Sequence, residues 1–258
     1  MLTNTRAQTE AQDTTPANDL TPECLTLQAL RHEIDRIDDE MLELLNRRLQ
    51  IARRVGKAKD APHGPFLNLR PDREAAVLNR LLDKATDLTR PAVEPIWREV
   101  IAAGLAQQGT ISVALWRGHE DGRTWDRARQ RFGSQVTYMG AGNPKAALDA
   151  AQIGDTVAVL NLSADQPWWI DLARDYPDLW VFESLDDARG TPVALCVGRM
   201  DAKSLATGRV FSAVPGGDAG EGEGRRRTLA SHHGWTLSVT EGGPQAMDRT
   251  RGVIGRCG

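Results

Sequence analysis

Residues 27–60 read LQALRHEIDRIDDEMLELLNRRLQIARRVGKAKD. Apolar side chains fall at Leu27, Leu30, Ile34, Ile37, Met41 and Leu44. Steps of three and four define one face of a long packed helix. The next position on that face is Arg48, after which Ile51, Ala52 and Val55 resume the stripe. A guanidinium on a buried face is costly unless something pairs with it. No acidic residue lies one turn away on that face, so its partner is expected from elsewhere, and an anionic ligand is one candidate. Lys59 follows at an angle within about 20° of Arg48, roughly 16 Å further along the axis. Spacing alone leaves Lys59 open between a solvated cation at a helix end and a second group facing the same ligand.

The rest of the chain changes character near Gly109. Helix one is expected to start at Thr21 or Pro22 and to end near Lys59 or Asp60. The loop APHGPFLNL follows. A second helix opens at Arg70-Pro71-Asp72-Arg73-Glu74 and buries Val77, Leu78, Leu81, Leu82 and Ala85. A third opens at Thr89-Arg90-Pro91, with Val93, Ile96, Trp97, Val100, Ile101 and Leu105 on one side and Gln108 at the end of that face. Beyond Gly109, ISVALWR, QVTYMG, DTVAVLNL and LWVFESL read as strands, with helical stretches near 123–132, 144–152 and 168–176 between them. This alternation predicts an α/β layer with a mainly parallel sheet. PVALCVG and RVFSAV read as strands that could pair. A glycine-rich stretch, a helix over 225–233, the strand WTLSVTEG and a final VIGRCG segment complete the chain.

Composition narrows the functional classes. The chain has 258 residues, 40% hydrophobic content and a net charge of -3, which speaks against a general nucleic-acid or membrane-surface binder. The first twenty or so residues lack the apolar core of a secretion signal and read as a disordered tail. Three scattered cysteines, Cys24, Cys196 and Cys257, fit a reducing, cytoplasmic setting without a disulfide framework.

Arg31 lies beside the stripe, about 25 Å and about 100° from Arg48 on the same helix. No small ligand spans both from one helix. If Arg31 serves the Arg48 site it must come from a second copy; spacing alone favours an exposed arginine.

At this point the residues carry a resemblance. Leu30-Arg31, Ile34-Asp35, Ile37-Asp38, Leu44-Leu45, Arg48 and Val55-Gly56-Lys57-Ala58-Lys59 resemble the first helix of the all-helical class of chorismate mutases. Pro71-Asp72-Arg73-Glu74 resembles the start of that family's second helix. Ile96-Trp97-Arg98-Glu99-Val100-Ile101 with Gln108 resembles its third. The resemblance covers residues 25–108. It implies a three-helix domain at 22–108 in an intertwined homodimer with shared active sites, preceded by a tail at 1–21 and followed by an α/β domain at 109–258. It implies rearrangement of chorismate to prephenate, with no cofactor and no metal, because the site has only to hold a flexible dianion in its reactive shape and stabilise developing charge. Arg48, Lys59 and Gln108 are the implied catalytic residues; Arg31, Arg73 and Glu74 the implied substrate-binding residues. Arg48 and a partner chain's Arg31 would clamp the carboxylates, Lys59 and Gln108 would donate to the ether oxygen, and Glu74 would accept from the ring hydroxyl. Two positions depart from the family's pattern: Gly104 where some members have serine, and Arg70 where some have an acidic residue.

The second half resembles prephenate dehydratase only faintly. Thr191 aligns with that family's threonine-arginine-phenylalanine motif, but Pro192 and Val193 replace its last two residues. The half is therefore read as a degenerate dehydratase-like region. Gly140-Ala141-Gly142 lacks the third glycine of a dinucleotide loop. A bifunctional mutase-dehydratase and a non-catalytic regulatory protein are the alternatives. All implied site residues lie before Gly109, so residues 1–109 are expected to function alone.

Overall fold

The computed structural model describes residues 26–58, 66–109, 111–118, 122–163, 165–216, 225–242 and 247–258. The expected tail, Cys24, Lys59 and the glycine-rich stretch 217–224 lie outside the described residues. The chain falls into two compact units, one ending at Leu44 and one running from Leu45 to Gly258. The change from helices to strands comes later, between Ala106 and Ser112.

Helix α1 spans Leu27–Ala58. Its first turn is capped by Thr26, whose Oγ1 accepts from the Ala29 amide at 3.2 Å. The expected start at Thr21 or Pro22 lies outside the described residues; the helix described begins at Leu27, after the Thr26 cap. In the first unit Leu30, Ile34, Ile37 and Met41 are all exposed, and Arg36 bridges Glu33 and Glu40 on the solvated side.

In the second unit, α2 (Pro71–Leu82) and α3 (Arg90–Ala106) start where the sequence predicts. Each has a proline in its first turn, where the missing N–H costs nothing. Segment 66–70, expected as a plain loop, is held by the sheet that follows. The Leu67 amide donates to the Arg199 carbonyl at 2.8 Å, and Leu67 and Leu69 are buried.

Among the described residues the strands form one sheet: β1 (Ser112–Trp116), β2 (Thr137–Gly140), β3 (Thr156–Asn161), β4 (Leu179–Asp186), β5 (Pro192–Arg199), β6 (Arg209–Pro215), β7 (Arg225–His232), β8 (Trp235–Glu241) and β9 (Val253–Cys257). Their order is β2-β1-β3-β5-β4-β9-β6-β8-β7. Helices α4 (Arg123–Phe132), α5 (Pro144–Gln152) and α6 (Trp168–Asp175) match the predicted stretches. Only part of the sheet is parallel. The pairs β1–β2, β1–β3 and β4–β9 are parallel; β5 runs antiparallel to both β3 and β4, and β6–β9 and β6–β8–β7 are antiparallel. Two further expectations are corrected. PVALCVG and RVFSAV do not pair: β5 lies between β3 and β4, and β6 between β9 and β8. Residues 225–232 form a strand, not a helix, because the turn at His233-Gly234 returns the chain antiparallel as β8.

Alternate residues of β1, β3 and β5 enter two cores. On one face Trp116, Leu160 and Leu195 meet Leu148 of α5 and Trp168, Trp169 and Leu172 of α6. On the other, Val113, Leu115, Val159 and Cys196 meet Ala128 and Phe132 of α4, together with Leu67 and Leu69 and the edge of Leu105 on α3. Burial on both sides explains why these strands read as continuous apolar runs. It also bears on the expectation that residues 1–109 suffice: cut there, Leu67, Leu69 and Leu105 would lose part of the surface that covers them.

Gly255 marks a close approach of backbones in the sheet. A Cβ there would overlap the Val181 carbonyl oxygen of β4, its parallel partner. Backbone cannot yield as a side chain can. Gly255→Ala should lower stability by about 2–4 kcal/mol. Thermal or urea unfolding measures this, and a melting curve equal to the parent's would contradict the close approach.

Candidate functional site

The second half of α1 runs alongside α3 in the same direction. Arg48 Nη1 donates to the Val100 carbonyl at 2.8 Å. Arg53 Nε donates to Gln107 Oε1 at 2.7 Å. A Cβ on Gly104 would lie 3.2 Å from Arg48 Nη1 and 3.7 Å from Ala52, and one on Gly56 would lie 3.2 Å from Gln108 Cγ. Two glycines, one on each helix, therefore let the helices approach where Arg48 and Gln108 sit. This gives Gly104 a reason: a serine there would crowd the guanidinium that lies across it.

Arg48 is half-buried. Its single recorded hydrogen bond goes to a neutral carbonyl, and among the described residues no carboxylate forms an ion pair with it. Burial alone moves its pKa, downward, with no anion to oppose it. The expectation that its partner lies off its own helix holds, and that partner is a neutral carbonyl. Gln108 is half-buried just beyond α3, and its Nε2 donates to the Gly104 carbonyl at 3.3 Å. Arg48 and Gln108 are thus both attached to the Val100–Gly104 stretch of α3.

The other expected residues are distributed differently. Arg31 is exposed and belongs to the first unit. Arg73 is exposed in the first turn of α2. Arg70 grips Asp72, with Nη2 2.7 Å from Oδ2 and Nε 3.0 Å from Oδ1. That contact draws the Asp72 carboxyl below its ordinary pKa. The arginine at this departure from the family pattern orders the helix start. Glu74 is buried and already engaged. Its Oε2 lies 2.9 Å from Arg131 Nη1 and 3.2 Å from Arg98 Nη1, while its Oε1 is buried with no hydrogen-bond partner among the described residues.

Arg98, Arg131 and Glu183 were not singled out from the sequence. Glu183 carried the readable signal, a carboxylate inside the apolar strand LWVFESL. Arg131 had none, because α4 reads RTWDRARQRF and three other arginines surround it in sequence.

Comparison with known proteins bears on one part of the chain. Residues 30–109 match the family model for chorismate mutase type II. The bifunctional chorismate mutase/prephenate dehydratase of Aquifex aeolicus (strain VF5) is 34% identical over 117 residues, 43% of this chain and 32% of that protein. The protein of the same description from Neisseria gonorrhoeae (strain ATCC 700825 / FA 1090) is 36% identical over 110 residues, 42% of this chain and 29% of that protein. The Pseudomonas aeruginosa protein of the same description is 32% identical over 127 residues, 48% of this chain and 33% of that protein. The chain spans about a third of the length of these curated relatives. No solved structure matches. Arg48, Glu74 and Gln108 all fall within the mutase-family segment; Arg131 and Glu183 fall outside it. No described helix is long and apolar enough to cross a membrane, and the described residues hold no His/Cys/Asp/Glu group that could bind a metal ion.

The Arg48 geometry makes a stability prediction. Its fold contribution is one bond to a helix carbonyl, set against partial burial of an uncompensated charge. Arg48→Leu should change stability by no more than about 1 kcal/mol in either direction. Chemical unfolding of the two proteins checks this; a loss several times larger would make Arg48 a structural residue.

Proposed function

We propose that the mutase-family region rearranges chorismate to prephenate. The observation that carries this reading is Arg48: a half-buried guanidinium without a carboxylate partner among the described residues, set in an apolar helix face within the matched segment. The reaction is intramolecular and needs no covalent step. Catalysis requires a site that holds the substrate's two carboxylates and its ring so that the reacting carbons meet, and that stabilises charge on the breaking ether oxygen. A planar guanidinium fits a carboxylate with two parallel hydrogen bonds, which suits Arg48. Gln108 and Lys59 are the donors to the ether oxygen. Glu74 Oε1 is buried without a hydrogen-bond partner among the described residues and accepts from the ring hydroxyl in this reading; Arg73 lies beside it in the helix start.

Arg31 enters from a second copy in this reading. Support comes from the first unit, where Leu30, Ile34, Ile37 and Met41 line an exposed face. An apolar stripe of that length is covered when two such helices pair. The active form is then a homodimer with shared sites, acting in the cytoplasm in aromatic amino acid biosynthesis. The relatives' second activity, prephenate dehydration, is the alternative reading for the chain as a whole. Against it, Pro192 and Val193 stand at the start of β5 where the dehydratase motif has arginine and phenylalanine.

The full chain supplied with chorismate should consume it and form prephenate, with little phenylpyruvate before acid treatment. Arg48→Ala and Arg31→Ala should each abolish turnover, and mixing the two inactive proteins should restore one working site per mixed dimer. Absence of chorismate consumption by the parent sinks the reading; absence of recovery after verified subunit exchange sinks the shared site.

A second outcome concerns pH. Gln108 is neutral and donates at any ordinary pH. A glutamate there donates only when protonated, and its unperturbed pKa is about 4.3. Gln108→Glu should stay active in acid and lose activity as pH rises through that group's pKa. Identical pH–rate profiles for parent and variant would remove Gln108 from the reacting oxygen.

A further inference from the structure

We propose that Arg131, together with Glu183, is a positioning residue for the mutase site: a buried ion cluster based in the α/β region holds Glu74 and, through α3, sets the place of Arg48 and Gln108. The inference rests on the mutase reading above.

The cluster is a closed square of alternating charge. Arg131 on α4 reaches Glu74 Oε2 at 2.9 Å and Glu183 Oε2 at 2.5 Å. Arg98 on α3 reaches the same two oxygens at 3.2 and 3.9 Å. Two guanidiniums and two carboxylates cancel, and the Arg131 and Glu74 side chains are each only 7% exposed. Burial alone would lower the Arg131 pKa, but the Glu74 and Glu183 carboxylates more than offset it and raise it overall. Arg98, with less help and with Arg131 as a like-charged neighbour, is lowered by burial. Both stay charged at any ordinary pH. Other groups that feel Glu183 are Arg209 of β6, itself paired with Asp186, and the buried thiols Cys196 of β5 and Cys257 of β9.

Helix α3 transmits this to the site. Next to Arg98, the Glu99 carboxylate accepts from the amide and hydroxyl of Ser134, each at 3.0 Å, just after α4. One turn on, a Cβ at Gly133 would lie 2.7 Å from Ala102. These contacts fix α3 against α4. Val100 and Gly104, interleaved with them along the same helix, carry Arg48 and Gln108. Any shift of α3 toward or away from α4 therefore shifts the groups that meet the substrate. Removing Arg131 leaves two buried carboxylates on one guanidinium, a state relieved by movement of the helices or by uptake of a proton. Misplacement of catalytic groups by about 1 Å costs on the order of 100-fold in rate.

The test is steady-state chorismate kinetics of the full chain across pH, with circular dichroism to confirm folding. Arg131→Met should fold, lose about 10- to 100-fold in kcat/KM, and show an ionisation in its pH profile that the parent lacks, with the loss smaller toward acid, where uptake of a proton relieves the excess negative charge. Arg131→Lys should restore most of the rate and the parent's profile, because it returns the charge. If Arg131→Met does not fold, Glu183→Gln decides: it keeps the shape, unbalances the cluster in the opposite sense, and should also lower kcat/KM and alter the profile. A folded Arg131→Met, or failing that a folded Glu183→Gln, with the parent's rate and profile overturns the positioning role while leaving the mutase reading intact. A parent that does not turn over chorismate overturns both.

Discussion

Four charged side chains from four different elements meet in the interior of the second unit: Glu74 from α2, Arg98 from α3, Arg131 from α4 and Glu183 from β4. Each would be expensive alone. Removing one member of a buried pair typically costs about 3–5 kcal/mol, because the charge left behind has no counter-charge and little water. The set is therefore stable only when all four elements are in register, and that requirement ties helices of the mutase-family segment to a helix and a strand beyond it. Apolar contacts of Leu67, Leu69 and Leu105 with the sheet add area to the same junction but little direction. The ion cluster supplies the direction.

The same constraint shapes the chemistry available to α2. Glu74 is an acidic residue in the first turn of a helix, a position favoured by the helix dipole. That would leave it exposed in an ordinary protein. Here two guanidiniums draw it inward and hold one of its oxygens, while the other is buried without a hydrogen-bond partner among the described residues. Its orientation is set in part by Arg131, which lies outside the matched segment. A carboxylate so held loses little freedom when it accepts a hydrogen bond, which is the advantage of a preorganised site.

Much of the fold was legible because it depends on local pattern. The period of three and four marked α1, first-turn prolines marked α2 and α3, and apolar runs between helical stretches marked β1 to β4 and α4 to α6. What failed depended on pairing. Nothing in PVALCVG states that it will enter between β3 and β4 in the opposite direction, and the arginine-rich start of β7 has no apolar alternation to mark it as an edge strand. Within the site, Arg48 was legible because a charge interrupted a periodic stripe. Gly104 read as a lost hydroxyl and turned out to make room for Arg48. Arg131 was illegible because its role is fixed by two carboxylates far away in sequence, and long-range pairs leave no trace in a single chain's periodicity.

Arg131 and Arg48 differ in what compensates their charge. Arg131 has two carboxylates, and its environment favours the charged form. Arg48 has one carbonyl dipole, and its environment disfavours the charged form. Arg131 is buried and Arg48 half-buried, so each gives up hydration that a counter-charge would offset. For Arg131 the compensation is built into the fold. For Arg48 a carboxylate arriving from outside would do for it what Glu74 and Glu183 do for Arg131, and would regain in binding the electrostatic free energy that the folded chain leaves unrealised. Stability alone justifies a position of this kind weakly; in the proposed reading, recognition of an anion justifies it.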